Sequence, residues 1–449
     1  MVWQTANLES IAQTLPPKIE FDEGAVNERL SIEEKYRSVM SENLKLARLV
    51  SYVGNKSVPI LRLYRFKEAF SLGLVNYFLD RFKATSNDLV FDPFAGMGTT
   101  LFGAMLRGLP SLGVERLPVA AFVSKTLPRL LLLEPGSIAS TFKRLEDSVD
   151  QFEPATIADD VSIMKVAFEE PYLTRLRQWK AAIDTLSSPL KEIFTLLFLS
   201  ILESTSYASN DGQFLRLKPH KKLVAPDEAL LRKVLQAEAD LIAIRHMWGD
   251  RAHYIENLPI LCEGDARDLS DVEFPKRPTV IITSPPYPNR YDYSRSYCLE
   301  LCFRFVKNFE ELKAVRFGIL RSHIESRAED GDKPSHPVIA EVMQNLQGRK
   351  LNNPRIPIML TAYFVDMEKC IREWSRVLAP GARVAMVVDN VRFEGQLVPV
   401  DLVLSDIAER YGFLIDEIMI ARYKGNSSQQ MGRYGRIPVR ESVTVWRKQ

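Results

Sequence analysis

At 449 residues the chain is long enough for two or three domains with sizeable cores. Its 46% hydrophobic and 26% charged content is that of an ordinary globular protein and excludes collagen-like or disordered classes. A net charge of +2 supplies no bulk field, so any nucleic-acid surface must come from local clusters. The four cysteines form no CxxC pair, which argues against a disulfide framework or a zinc site and fits a reducing cytosol. The five histidines (His220, His246, His253, His323, His336) lack ligand spacing, so no metal is expected. Met1-Val-Trp-Gln-Thr has no signal-peptide character, and the longest apolar runs, near 130–133 and 194–202, are too short to span a bilayer. A cytoplasmic protein without membrane contact is expected.

Residues 1–50 mix helical stretches with a Pro16-Pro17 break and read as an N-terminal arm without a motif. Beyond it, Phe66, Phe70, Leu74, Tyr77 and Phe78 recur at helical spacing, predicting a helix packed on a sheet. Asp88-Leu-Val-Phe-Asp-Pro-Phe-Ala-Gly-Met-Gly-Thr-Thr100 follows. It reads as a short strand ending at Asp92, a glycine-rich turn, and a helix starting near Thr99. Gly96 and Gly98 let the backbone approach a ligand, and the helix start offers unpaired N–H groups. The GxGxxG dinucleotide pattern is incomplete, and Asp92 would repel a pyrophosphate but attract an ammonium. The next strand, Ser111-Leu-Gly-Val-Glu115, also ends in an acid. Its distance from the glycines is close to the ~20 residues at which a carboxylate meets ribose hydroxyls in nucleotide-binding βαβ units. The ligand indicated is an adenosine joined to an amino acid, S-adenosylmethionine (SAM).

From about 127 to 258 glycine is scarce, and two stripes fit helices: Leu173, Leu176, Lys180, Ile183, Leu186, and Leu231, Val234, Leu235, Leu241, Ile242. A mostly helical insertion is predicted. Midway, residues 204–222 combine polar side chains, an Asp211-Gly212 turn and a basic run. They read either as a solvated loop or as a DNA contact, with Lys218, Lys221 and Lys222 on phosphates and Asn210, Gln213 or Arg216 near base edges.

The sheet resumes at Ile260-Leu-Cys-Glu-Gly-Asp-Ala-Arg267, and a β-branched run, Thr279-Val-Ile-Ile-Thr, then stops at Ser284-Pro285-Pro286-Tyr287. Two prolines end the ladder and stiffen the turn. A hydroxyl, carbonyls without neighbouring amide donors and an aromatic ring suit a flat ring bearing an exocyclic amino group. Arg290 and Tyr291 lie in the aromatic and basic run that follows and are expected to contact DNA, and residues 316–355 read as a mobile polar loop. Strands are predicted at 383–389, 414–421 and 442–446. The basic, acid-free stretch 422–436, with Arg433 and Arg436, suits a contact that tracks a DNA backbone.

Asp92-Pro-Phe-Ala-Gly-Met-Gly-Thr99 together with Thr283-Ser-Pro-Pro-Tyr287 resembles the paired signatures of SAM-dependent DNA amino-methyltransferases. The resemblance implies an α/β, Rossmann-like SAM-methyltransferase fold with a mostly parallel seven-stranded sheet. It assigns Asp92, Pro93, Phe94, Ala95, Gly96, Gly98, Thr99, Glu115, Asp265 and Ala266 to the cofactor, with Asp265 at the adenine. Ser284, Pro285, Pro286 and Tyr287 become the catalytic set, and the 64–71 segment an additional cofactor contact. The implied layout is an arm (1–50), a cofactor half (51–126), an insertion for target recognition (127–258) and a catalytic half (259–449). The expected partner is double-stranded DNA, with a cognate restriction or defence system alongside and a nucleoid association if the source is prokaryotic.

Carbon-5 cytosine methylation would need a cysteine, preceded by proline in that family; Cys262, Cys298, Cys302 and Cys370 follow none. Serine ahead of Pro-Pro-Tyr points by resemblance to cytosine N4, with adenine N6 and RNA bases as alternatives. A non-catalytic nucleic-acid-binding relative is opposed by the intact acidic and glycine positions.

Overall fold

The computed structural model describes residues 15–17, 24–211, 214–248, 256–425, 432, 435 and 437–449. Its strands are β1 (Met40–Glu42), β2 (Val90–Asp92), β3 (Ser111–Glu115), β4 (Ala208–Asp211), β5 (Phe214–Leu217), β6 (Ile260–Glu263), β7 (Val280–Thr283), β8 (Arg383–Asp389), β9 (Val391–Phe393), β10 (Gln396–Val398), β11 (Phe413–Lys424) and β12 (Val439–Lys448). The main sheet has the order β1-β11-β12-β8-β7-β2-β3-β6. Only β12 runs against its neighbours. This is the Rossmann-like arrangement expected, with eight strands instead of seven. The extra one, β1, comes from the N-terminal arm and pairs in parallel with β11.

Strand β7 is buried at all four positions between β2 and β8, which is why its sequence is an unbroken β-branched run. Successive side chains face opposite ways, so Val280 and Ile282 share one core with Val90, Ala385 and Val387. Ile281 joins Phe91, Val384 and Met386 on the other. The first face is covered by the Leu72–Arg81 helix through Leu74, Val75 and Phe78. The second lies under the Ile356–Val377 helix, with Met359, Tyr363 and Trp374 fully buried. Each such side chain contributes roughly 1.5–3 kcal/mol by leaving water.

The helix predicted from Phe66 onward begins only at Leu72. Ser71 is bonded through both N and Oγ to the Leu49 carbonyl (2.9 and 3.0 Å). Asn55 donates to Phe70 O at 2.9 Å and accepts from Leu72 N at 2.8 Å, capping the helix from a distant segment. These ties keep residues 66–71 out of the helix and lay them along the sheet edge.

The insertion is helical as expected, with Ser137–Glu146, Glu170–Asp184, Leu190–Leu199 and Pro226–Trp248 as its main helices. Its core is continuous with residues 58–64, 117–133 and 297–312, and within it Phe142 stacks on Trp179 with 5.4 Å between ring centroids. The second stripe is out of phase: Leu235 and Ile242 are each 56% exposed, while Leu230, Val234, Ala237, Leu241 and Ile244 are buried. Counting Ala237 as apolar would have corrected it. Within the 204–222 stretch, β4 and β5 form an antiparallel hairpin. Nor is 316–355 an open loop. It contains the Pro337–Leu346 helix, and Arg321 is buried against Asp366 (2.7 Å) and Asp332 (2.6 Å).

Candidate active site

The parallel strands β2, β3, β6, β7 and β8 end along one edge of the sheet, where ligands of such folds bind. Two adjoining cavities open there, sharing part of their walls.

The first is lined by Asp92, Pro93, Phe94, Ala95, Gly96, Thr99, Glu115, Asp265 and Ala266, together with the 66–70 segment. Gly98 does not line it. With φ +84°, Gly98 turns the chain into the Thr99–Leu106 helix, and a Cβ there would collide with Ser124. Asp92, 1% exposed, accepts from Thr283 Oγ1 (2.6 Å) and Phe94 N (3.1 Å). Burial raises its pKa to about 6 against those hydrogen bonds, so a cationic ligand would favour its charged form. Glu115 is likewise raised to about 7 by burial; it accepts from Gly96 N (2.7 Å), Arg116 N (2.9 Å) and Leu117 N (2.8 Å), which fastens the glycine turn to β3. Asp265 is already paired with Arg267 at 2.6 Å; burial would raise its pKa, but the arginine holds it below the usual range. Arg267 in turn reaches Asp366 at 2.9 Å.

The second cavity is lined by Pro285, Tyr287, Tyr291, Asp389, Lys424 and Glu441, among others. Ser284 belongs to both cavities; Pro286 faces the first, while Pro285 and Tyr287 face the second. Ser284 Oγ lies 3.2 Å from both the Val387 carbonyl oxygen and the Tyr287 hydroxyl. Tyr287 donates to Glu441 Oε1 at 3.3 Å, and Lys424 stands 5.8 Å from its ring centroid. Lys424 bridges Asp389 (3.1 Å) and Glu441 (2.7 Å). Burial raises Asp389 to about 7 despite Lys424, and its Oδ1 is buried without a hydrogen-bond partner.

The predicted DNA contacts separate. Tyr291 lines the second cavity, whereas Arg290 lies outside both cavity walls and donates to Asn352 Oδ1 at 3.4 Å. Arg216, Lys218 and Lys222 are exposed on or beside the hairpin. Lys221 instead donates to the carbonyls of Glu203 and Ala208. Asn210 receives a hydrogen bond from Lys67, a wall residue of the second cavity, so the hairpin abuts that cavity. Gln213, Arg433 and Arg436 lie outside the described residues. Sequence reasoning missed Glu68, Asp389, Lys424 and Glu441. Asp389 carried the same signal as Asp92 and Glu115, an acid closing a buried strand. Among the described residues no group of His, Cys, Asp or Glu could hold a metal ion, and no helix is long and apolar enough to cross a membrane.

Two cavities that join at a proline-stiffened serine, one built to attract a cation, define a group-transfer enzyme of the SAM-dependent methyltransferase class. No family model matches the chain. It is 31% identical to the Type II methyltransferase M.BsoBI of Geobacillus stearothermophilus over 94% of this chain and 92% of that one. To M.AvaI of Anabaena variabilis it is 33% identical over 93% and 92%. M.MvaI of Kocuria varians is 20% identical over 72% and 74%. TrmN from Thermus thermophilus, a solved structure, gives a TM-score of 0.29 at 11% identity, over 88% of this chain and 53% of that one, too low to bear on the fold. The chain belongs to the family of Type II DNA methyltransferases, and its methyl donor is SAM.

Proposed function

We propose that the protein is a site-specific DNA methyltransferase that methylates the exocyclic N4 amino group of cytosine in duplex DNA, within a restriction-modification pair. The observation that carries this reading is the meeting of the two cavities at Ser284-Pro285-Pro286-Tyr287. The first cavity fits SAM, whose sulfonium supplies an activated methyl group. Asp92 would hold the ammonium of its amino-acid end, Glu115 the ribose, and Asp265 and Ala266 the adenine. The second cavity takes the target base, which must leave the duplex to enter it, at a cost of a few kcal/mol.

An exocyclic amino nitrogen is a poor nucleophile because its lone pair is conjugated with the ring. Hydrogen bonds from it to Ser284 Oγ and the Pro285 carbonyl favour the pyramidal form that attacks. Tyr287 stacks on the base, an interaction worth about 1–3 kcal/mol in comparable sites. A methylated amino group must then shed a proton, which a serine cannot hold. We assign that proton to Asp389, a carboxylate of the same cavity. Proximity and alignment supply most of the acceleration. The exposed Lys218 and Lys222 would contact phosphates beside the hairpin, and Arg216 a base edge.

Cytosine is favoured over adenine by Ser284, because enzymes resembling this one that act on adenine mostly place Asp or Asn there. Nucleoside analysis of DNA from a methylation-free host expressing the protein tests this. N4-methylcytosine is expected; N6-methyladenine in its place would reverse the base choice and leave the cofactor site standing.

A further inference from the structure

The transferred methyl must pass where the two cavities meet. Four residues line both: Glu68, Ala69, Ser284 and Tyr293. Glu68 is the carboxylate among them. Asp92, Glu115 and Asp265 line only the first cavity, and Asp389 and Glu441 only the second. Those five are also engaged otherwise, Asp265 by Arg267 and Glu441 by Arg422 and Lys424 for example.

The setting of Glu68 is built. Its Oε2 accepts from the Tyr297 hydroxyl at 2.5 Å, and Tyr297 is stacked on Phe66 at 5.0 Å with the rings 11° apart. Of the cations beside it in sequence, Arg65 reaches Glu203 at 3.6 Å, and Lys67 donates to the Asn210 carbonyl, near enough for its charge to be felt at Glu68 but without pairing with it. Among the described residues no lysine or arginine forms an ion pair with Glu68. A carboxylate held by a tyrosine without a paired protein cation, at the crossing point of the transferred group, is suited to a cationic ligand atom.

We infer that Glu68 is the counter-charge to the sulfonium of SAM, and that it makes the enzyme distinguish the charged donor from its neutral product, S-adenosylhomocysteine. The two molecules share adenosine and amino-acid ends and differ at that sulfur. Interactions at the ends bind both alike, whereas a charge at the junction favours the donor alone. Transfer removes the positive charge from sulfur and so weakens the hold on the product.

The inference rests on the placement of SAM in the first cavity, not on the choice of base, and its test needs no DNA. Calorimetry would measure SAM, S-adenosylhomocysteine and sinefungin, which carries an ammonium where SAM has its sulfonium, against wild type, Glu68→Gln, Tyr297→Phe and Asp92→Ala. For Glu68→Gln we expect about tenfold or greater loss of affinity for SAM and sinefungin, equivalent to about 1.4 kcal/mol or more, with S-adenosylhomocysteine within twofold of wild type. Tyr297→Phe keeps the carboxylate and should keep the preference for charged ligands. Asp92→Ala should weaken all three, since they share the amino-acid end. Equal losses for charged and neutral ligands in Glu68→Gln, or no loss, would overturn the inference. Normal binding by Asp92→Ala would instead show that the cofactor is misplaced.

Discussion

Asp92 and Ser284 stand at the ends of neighbouring parallel strands, β2 and β7, yet they do different work. Asp92 is buried within the first cavity, whereas Ser284 touches both and is bonded to Tyr287 of the second and to the Val387 carbonyl. Asp92→Ala should therefore lose SAM binding, and Ser284→Ala should bind SAM within a few-fold of wild type while losing turnover by a factor of about 100 or more, in keeping with removal of one oriented hydrogen bond at the reacting atom. Calorimetry paired with single-turnover rates checks the division. A Ser284→Ala protein that loses SAM as badly as Asp92→Ala would remove it. Asp92 and Glu115 are readable in the sequence because each closes a short apolar strand; Glu68 is not, because helical spacing around it suggests a solvent-facing helix position.

At the scale of elements, the hairpin of β4 and β5 abuts the second cavity, and on the proposed function the lysines that follow it are not equivalent. Lys221 is half-buried and bonded to two carbonyls of the same region, so Lys221→Ala should destabilise the hairpin by roughly 1.5–3 kcal/mol. Lys218 and Lys222 are exposed. Their joint replacement by alanine should flatten the dependence of DNA affinity on salt, by about 0.9 of a log–log unit for each phosphate no longer neutralised. Fluorescence titrations from low to moderate salt measure the slope; an unaltered slope would make both lysines ordinary solvated residues. The contrast arises from tertiary structure alone, since the three lysines lie within five residues of one another in sequence.

For the whole molecule, the cluster of buried acids along one sheet edge has a cost that depends on pH. Burial raises Asp92 to about 6 and Glu115 and Asp389 to about 7. Each keeps its proton in the folded state at a pH where the unfolded chain has lost it, so the folded state binds more protons between about pH 4 and pH 7. The contribution of these groups to stability is therefore full below about pH 4 and is lost as pH rises through the folded values. Asp389→Asn removes that loss at its site. The variant weakens the Lys424 pair but removes a desolvation cost that exceeds it, so it should gain roughly 1–2 kcal/mol over wild type at pH 8 and little at pH 5. Thermal melts at the two pH values check this, and equal gains at both would exclude a titration origin. The same variant should be impaired in methyl transfer, which would mark Asp389 as a site where stability is given up for chemistry.

What the sequence alone determined was whatever short-range patterning encodes. The β-branched run of β7 could only be a strand buried on both faces, the prolines after it could only end the ladder, and glycines at Gly96 and Gly98 marked a turn with positive φ (+53° and +84°). The strand ends carrying Asp92, Glu115 and Ser284 then fell on one edge of the sheet. Only the tertiary structure decided which residues face which cavity. Asn55 and Leu49 pull the 66–71 segment out of its helical pattern and set Glu68 at the junction. The reversal of β12 brings Glu441 opposite Asp389, and β11 delivers Lys424 between them, closing the second cavity from three distant segments. Such pairings leave no local signature, because a carboxylate's role depends on the charges and hydrogen bonds that long-range folding brings to it.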